Sequence, residues 1–151
     1  MKMYKLENRL LLPISIEEAW AFLANPAQLE NITSDDLSFR VLDSLPDEMV
    51  EGMLVRYQIR PFPLIRLNWV AEITYIDEGF RFIDEQRFGP FRFWHHEHQD
   101  IEVENGIEMK DTVHYVMPFS IIGRIVHRLL IRNMLENIFD YRNEEIRSMF
   151  E

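Results

Sequence analysis

Trp94-His95-His96-Glu97-His98-Gln99-Asp100-Ile101-Glu102-Val103-Glu104-Asn105-Gly106-Ile107-Glu108-Met109-Lys110-Asp111-Thr112-Val113-His114-Tyr115-Val116-Met117 reads as two strands joined by a tight turn. Asn-Gly is a strong hairpin signal, because both central residues of a type I′ turn take positive φ. With Asn105-Gly106 as the loop, Glu104 pairs with Ile107, and outward from there Asp100 faces Asp111, His98 faces Val113, His96 faces Tyr115 and Trp94 faces Met117. Strand side chains alternate between two faces, so these eight residues share one.

The neighbouring turn at Gly89-Pro90 decides which residues join them. A two-residue loop puts Arg81, Ile83 and Glu85 beside the tryptophan and histidines; a three-residue loop puts Phe82, Asp84 and Gln86 there. Carrying the longer loop back through the Glu78-Gly79 turn adds Trp69, Ala71, Ile73 and Tyr75, and then Met53, Val55, Tyr57 and Ile59. The opposite face becomes Glu72, Arg81, Glu85, Arg87, Glu97, Lys110 and Thr112, the composition of a solvated surface, so the longer loop is preferred. From Met53 to Met117 the chain is therefore an antiparallel meander, its other turns at Gly52 and Pro61-Phe62-Pro63.

Ahead of the meander, Tyr4 to Leu12 reads as a strand, and Ser15-Ile16-Glu17-Glu18 as a capping box opening a helix with Ala19, Trp20, Phe22 and Leu23 on its apolar face. Asn25-Pro26 ends that helix, and a second short one covers Pro26 to Asn31. The acidic stretch from Glu30 to Glu51, which includes Asp35 and Asp36, reads as a solvated loop around a strand at Ser38 to Leu42. After the meander the period becomes helical. Ile121, Ile122, Ile125, Val126, Leu129, Leu130, Leu135, Ile138, Phe139 and Ile146 form a stripe along one amphipathic helix from Ile121 to Phe150.

The inward sheet face holds Asp84, Gln86, His96, His98, Asp111 and Tyr115 among its aromatics. Each buried titratable group costs free energy unless it is paired or wet, so the pattern implies a cavity under the C-terminal helix.

With 151 residues, 47% hydrophobic and 28% charged, the chain is expected to form one soluble domain over 1–151. Sixteen basic and 26 acidic residues give a net charge of −10, which argues against nucleic acid as a partner. Zero cysteines exclude disulfides, thiolate catalysis and cysteine metal sites, no apolar stretch approaches the length of a transmembrane helix, and the start, Met1 to Glu7, shows no signal-peptide core. A cytoplasmic location is expected.

The order of elements resembles the START-like superfamily, also called SRPBCC, whose members include polyketide cyclases, lipid-transfer domains and birch-pollen-allergen relatives. The run Phe82 to Phe91, then Trp94, His96 and His98, then Asp111, Tyr115 and Pro118, with Ile138 to Arg142 later, resembles a bacterial ligand-binding or cyclase/dehydrase-like subgroup. It departs at Asp100, where the resemblance implies an aromatic. The fold so implied is an α+β helix-grip fold: a strand, two short helices and a six-stranded meander, curved around a long C-terminal helix. A hydrophobic ligand in an internal cavity is implied as well, though no particular reaction, because one scaffold hosts many functions.

Two functional classes are open. In the first, the chain binds a lipid, quinone or polyketide-like molecule against Tyr57, Trp69, Tyr75, Phe82, Trp94 and Leu130, its polar end met by Asp84, Gln86, His96, His98, Asp111 and Tyr115. In the second, Asp84 beside His96 and Asp111 diagonal to His98 act as acid and base, with Tyr115 a donor, in a cyclase- or dehydratase-like reaction. His96 and His98 also have the spacing of a metal site, but His114 falls on the opposite face, leaving only Asp84 and Asp111 as further ligands. Histidines bonded within a polar pocket are preferred, with no metal and no cofactor expected. Arg124, His127, Arg128 and Arg132 form a basic strip on the last helix, a solvated edge or a place of transient contact with an anionic membrane surface or an acidic partner.

Overall fold

Leu12, at the end of strand β1 (Tyr4–Leu12), is followed closely by Ser15, whose Oγ accepts a hydrogen bond from the Glu18 amide at 3.1 Å and so starts helix α1 (Ile16–Leu23). The Glu18 carboxylate turns onto the Ser15 hydroxyl at 3.4 Å and leaves the Ser15 amide alone, so only half of the expected capping box forms. The computed structural model describes residues 1–33 and 37–150; Asp35 and Asp36 of the acidic stretch lie outside them.

After α2 (Gln28–Asn31) come six further strands: β2 (Arg40–Val41), β3 (Leu54–Phe62), β4 (Ile65–Asp77), β5 (Arg81–Phe88), β6 (Phe93–Val103) and β7 (Gly106–Val116). All neighbours are antiparallel, in the order β1-β7-β6-β5-β4-β3-β2, so the meander is closed at one side by the N-terminal strand. β2 is shorter than the expected Ser38 to Leu42. The curled sheet and the helix after it make an α+β helix-grip fold. Among the described residues, no helix is long and apolar enough to cross a membrane.

The β6–β7 register differs from the expected one. Val103 pairs with Gly106, the turn is Glu104-Asn105, and only Asn105 takes positive φ, 67°, so the turn is not type I′. Gly106 serves another purpose: a Cβ there would collide with the Leu12 carbonyl oxygen, where β1 crosses the start of β7. The ladder consequently slides by two residues, placing Trp94 opposite Tyr115, His96 opposite Val113, His98 opposite Asp111 and Asp100 opposite Met109. An even slide keeps every side chain on its face. The β5–β6 pairing agrees with the three-residue loop, with Phe82 opposite His98 and Asp84 opposite His96. On the outer face Arg81 reaches Glu97 at 3.4 Å and Arg87 reaches Glu72 at 3.1 Å.

Register also shifts between Val70 and Ala71 and between Ile59 and Phe62, but two other local irregularities displace residues expected at the site. Between Ile73 and Tyr75 the β4–β5 register shifts by one at Thr74, so Tyr75 pairs with Ile83 and turns outward, where the Arg81 guanidinium lies over its ring at 5.2 Å. The C-terminal helix is likewise not uniform: α3 (Ser120–Val126) runs into a π-helical segment, His127–Ile131, before α4 (Arg132–Phe150). A π turn inserts an extra residue, which rotates the faces of the helix on its two sides relative to each other. Gly123, His127, Ile131, Leu135, Phe139 and Ile146 are buried in consequence, while Ile121, Ile122, Ile125, Leu129 and Leu130 of the expected stripe face outward.

The core divides in two. Trp69, Trp94, Phe91, Tyr115, Leu135 and Phe139 pack at one end, and Leu10, Leu12, Ile16, Ala19, Met109 and Ile146 at the other.

Candidate functional site

Between the concave sheet and the helix lies a cavity of about 260 Å³. Its walls are largely apolar. Tyr57, Trp69, Phe82 and Trp94 come from the sheet, where strand alternation points them inward; Ile131, Met134, Ile138 and Phe139 come from the helix; Leu29 and Ile32 come from the α2 region. The aromatics hold one another: Tyr57 stacks on Trp69 at 5.6 Å, and Trp69 meets Trp94 edge-on at 5.1 Å. The polar side chains in this wall include Asp84, His96, His98 and Arg142.

Asp84 on β5, His96 and His98 on β6 and Asp111 on β7 form one closed cluster. The two imidazole rings stack at 3.6 Å between centroids. His98 Nε2 is 2.7 Å from Asp84 Oδ2, and His96 Nε2 is 2.8 Å from Asp111 Oδ1. The remaining ring nitrogens face the same two oxygens, His98 Nδ1 at 3.1 Å from Asp111 and His96 Nδ1 at 3.6 Å from Asp84. The 3.1 Å approach is a charge contact, its angle falling outside hydrogen-bond geometry. Phe82 covers the His98 ring at 4.1 Å, and Phe139 meets His96 edge-on at 5.7 Å.

Two rings this close do not share the positive charge equally. Burial lowers the His96 pKa and the charge on His98 lowers it further, against the pull of both carboxylates. Burial opposes the charge on His98 too, but there the Asp111 and Asp84 carboxylates win and push the pKa up to about 9. Asp84 and Asp111 are penalised by burial, yet the histidines hold both below the usual carboxylate range. At neutral pH the cluster therefore carries one imidazolium, one neutral imidazole and two carboxylates. Asp84, His96 and His98 also bring one ligating atom each within 4.8 Å of one another, the spacing of a metal triad, but the ring nitrogens are engaged by carboxylate oxygens.

Of the residues expected at the site, Tyr57, Trp69, Phe82, Asp84, Trp94, His96 and His98 line the cavity. Asp111 sits on the other side of the stacked rings. Tyr75 is turned out by the bulge at Thr74, and Leu130 by the π segment. Gln86 is spent on the β5–β6 loop, where its amide donates to the Phe91 carbonyl at 2.6 Å and accepts from the Phe91 amide at 3.1 Å. Tyr115 is not beside the cluster: the two-residue slide sets it against Trp94, and its hydroxyl lies 2.6 Å from His127 Nε2. His127 is thereby buried and leaves the basic strip.

No family model and no curated protein matches the chain. Solved structures do. A Thermus thermophilus protein, TTHA0849, is 17% identical and superposes with a TM-score of 0.69, covering 99% of this chain and 100% of its own. Ara h 8.0201 is 13% identical, with a TM-score of 0.63 over 97% and 99% of the two chains. Norcoclaurine synthase from Thalictrum flavum, in complex with dopamine and hydroxybenzaldehyde, is 12% identical, with a TM-score of 0.67 over 96% and 87%. The fold is START-like.

Within the START-like architecture, Arg142 and Phe91 are cavity residues that the sequence reading did not place at the site. A signal for Arg142 existed: it comes three residues after Phe139, and such pairs share a helix face. Its guanidinium lies over the Phe139 ring at 5.0 Å. Phe91 carried no such signal, because it belongs to an irregular loop that Gln86 shapes.

Proposed function

We propose that the chain binds a small hydrophobic molecule, of lipid, quinone or polyketide-like character, in the cavity between sheet and C-terminal helix. The apolar, aromatic wall around about 260 Å³ carries the reading, since ligand sites are mostly apolar with a few convergent polar groups. Asp84, His96, His98 and Arg142, the carboxylate, imidazole and guanidinium groups of the wall, would meet the ligand's polar end. Trp69 Nε1 and Arg142 Nε are buried donors with no partner among the described residues. Such donors cost about 1–3 kcal/mol each, which an acceptor on a ligand offsets after a small side-chain shift. The norcoclaurine synthase complex is a fold neighbour that holds two aromatic molecules.

Fluorescence titration with fatty acids, quinones and flavonoid-like aromatics tests the reading, because Trp69 and Trp94 both line the cavity. Saturable quenching by one class is expected, together with a lipophilic compound released from the purified protein in native mass spectrometry. Absence of both overturns it.

A second, catalytic reading rests on Asp84 and His96 lining the same cavity. A cyclase- or dehydratase-like reaction would use the cluster as proton store and acceptor, and its mark is turnover lost in Asp84→Asn by roughly 10² or more with affinity little changed.

A further inference from the structure

In an antiparallel meander alternate connections lie at the same end of the sheet. The β3–β4 hairpin, the β5–β6 loop and the passage from β7 into α3 therefore share one end, as the pairings Phe62 with Ile65 and Phe93 with Val116 require. The segments 59–67, 87–96 and 117–135 at this end contain seven of the chain's sixteen basic residues and none of its 26 acidic ones. The connections at the opposite end bring Asp77, Glu78, Glu102 and Glu104 instead. An acidic protein thus has one cationic pole.

The same pole is apolar where it meets water. Leu64, at the tip of the β3–β4 hairpin, is 98% exposed and Phe119 is 78% exposed, with Phe88, Ile121, Ile122 and Leu129 also outward. Phe119 and Ser120 both have positive φ, 63° and 49°, a costly backbone for non-glycine residues and one that places the phenyl ring at the tip. The π segment keeps Ile121, Ile122 and Leu129 on the outside. Arg60, Arg66, Arg92, Arg124 and Arg128 form no ion pair among the described residues, whereas Arg87 and Arg132 pair with Glu72 and Glu136. The cavity reaches this pole, for Pro61, Phe62, Pro90 and Met117 are in its wall.

We propose that this pole docks on an anionic lipid surface, with Leu64 and Phe119 entering the interface and the arginines meeting lipid phosphates. Protruding apolar tips ringed by unpaired arginines suit a bilayer interface, where apolar burial and attraction to anionic headgroups add. A second copy of the chain fits poorly, since a two-fold contact sets one cationic pole against another. The docking goes beyond ligand binding and stands without it.

The test is flotation of the full chain with vesicles of phosphatidylcholine alone and with about 30% phosphatidylglycerol. Binding is expected to the anionic vesicles only, weakening as salt rises. Arg124→Glu with Arg128→Glu should lower that affinity by at least about tenfold, and Leu64→Ser with Phe119→Ser by a similar factor. Circular dichroism melts and tryptophan titrations without vesicles should match the parent protein in the arginine variant, which separates failed docking from failed ligand binding. Equal binding to neutral and anionic vesicles, no binding to either, or vesicle binding unchanged in the arginine variant overturns the proposal. So does a dimer in sedimentation velocity that both variants abolish.

Discussion

His98 donates from Nε2 to Asp84 across 2.7 Å, although the residue directly opposite Asp84 on the neighbouring strand is His96. The bond is diagonal because the two imidazoles stack, and each carboxylate lies along one side of the stack facing both rings. Position in the ladder thus does not decide which histidine holds the proton. The surrounding charges do, and they select His98.

Stability should report that choice. The His98 pKa is raised from 6.5 to about 9, so its contribution is fully present below 6.5 and is lost as pH climbs through 9. Chemical denaturation between about pH 6 and 10 is expected to show stability falling across that window, and His98→Gln should flatten the fall. A His98 imidazole that titrates near its ordinary value by NMR would contradict the assignment.

Asp84→Asn keeps the shape and removes one of the two anions beside His98. An opposite charge at hydrogen-bond distance raises a histidine pKa by about 1–3 units, so the His98 value should drop by about one unit or more while Asp111 holds part of the shift. The His96 response should be the smaller, its contact with Asp84 being 3.6 Å. NMR titration of both rings in parent and variant distinguishes the two, and an unchanged His98 would sever the pair.

The inward face was legible in the sequence because alternation survives an even error. Asn105-Gly106 suggested a register that is two residues out, yet Trp94, His96 and His98 still point inward. What depends on distance along the strand was lost, and Tyr115 is the case: placed against His96 by the expected register, it sits against Trp94 and reaches His127. One-residue irregularities invert faces outright. Thr74 reads like any strand residue, and His127 to Ile131 like any helix, so neither the bulge that turns Tyr75 out nor the π turn that exposes Leu130 leaves a mark in the pattern. Gly106 misled for a related reason: its small size is required by the Leu12 carbonyl, a partner far away in the chain, not by the turn.

That account of the turn separates two neighbouring substitutions. Gly106→Ala forces Cβ onto the Leu12 backbone and should destabilise by about 2 kcal/mol or more, the scale of overpacking against rigid structure. Asn105→Gly should be neutral or mildly stabilising, since Asn105 is the residue with positive φ. Thermal melts of the two variants settle the order, and a Gly106→Ala variant as stable as the parent would mean that the Leu12 backbone gives way to the added methyl.

Asp100 supplies the most counter-intuitive expectation, because removing it should help. It is 3% exposed, both carboxylate oxygens lack a partner among the described residues, and Met109 stands opposite. Burial raises its pKa from 3.8 to about 7, against the charge on His98. With the folded pKa above the unfolded one, the folded state holds a proton that the unfolded state has released. Stability therefore falls as pH rises from about 4 to 7 and stays reduced above that. Asp100→Leu, similar in size and apolar, removes the penalty and is expected to stabilise by about 1–3 kcal/mol at about pH 8, the usual cost of an unsatisfied buried polar group. The gain should shrink near pH ~4, where the carboxyl is neutral in the fold. Denaturation of parent and variant at the two pH values checks both the sign and the pH dependence, and a variant less stable under the alkaline condition would mean that Asp100 has a partner its surroundings do not show.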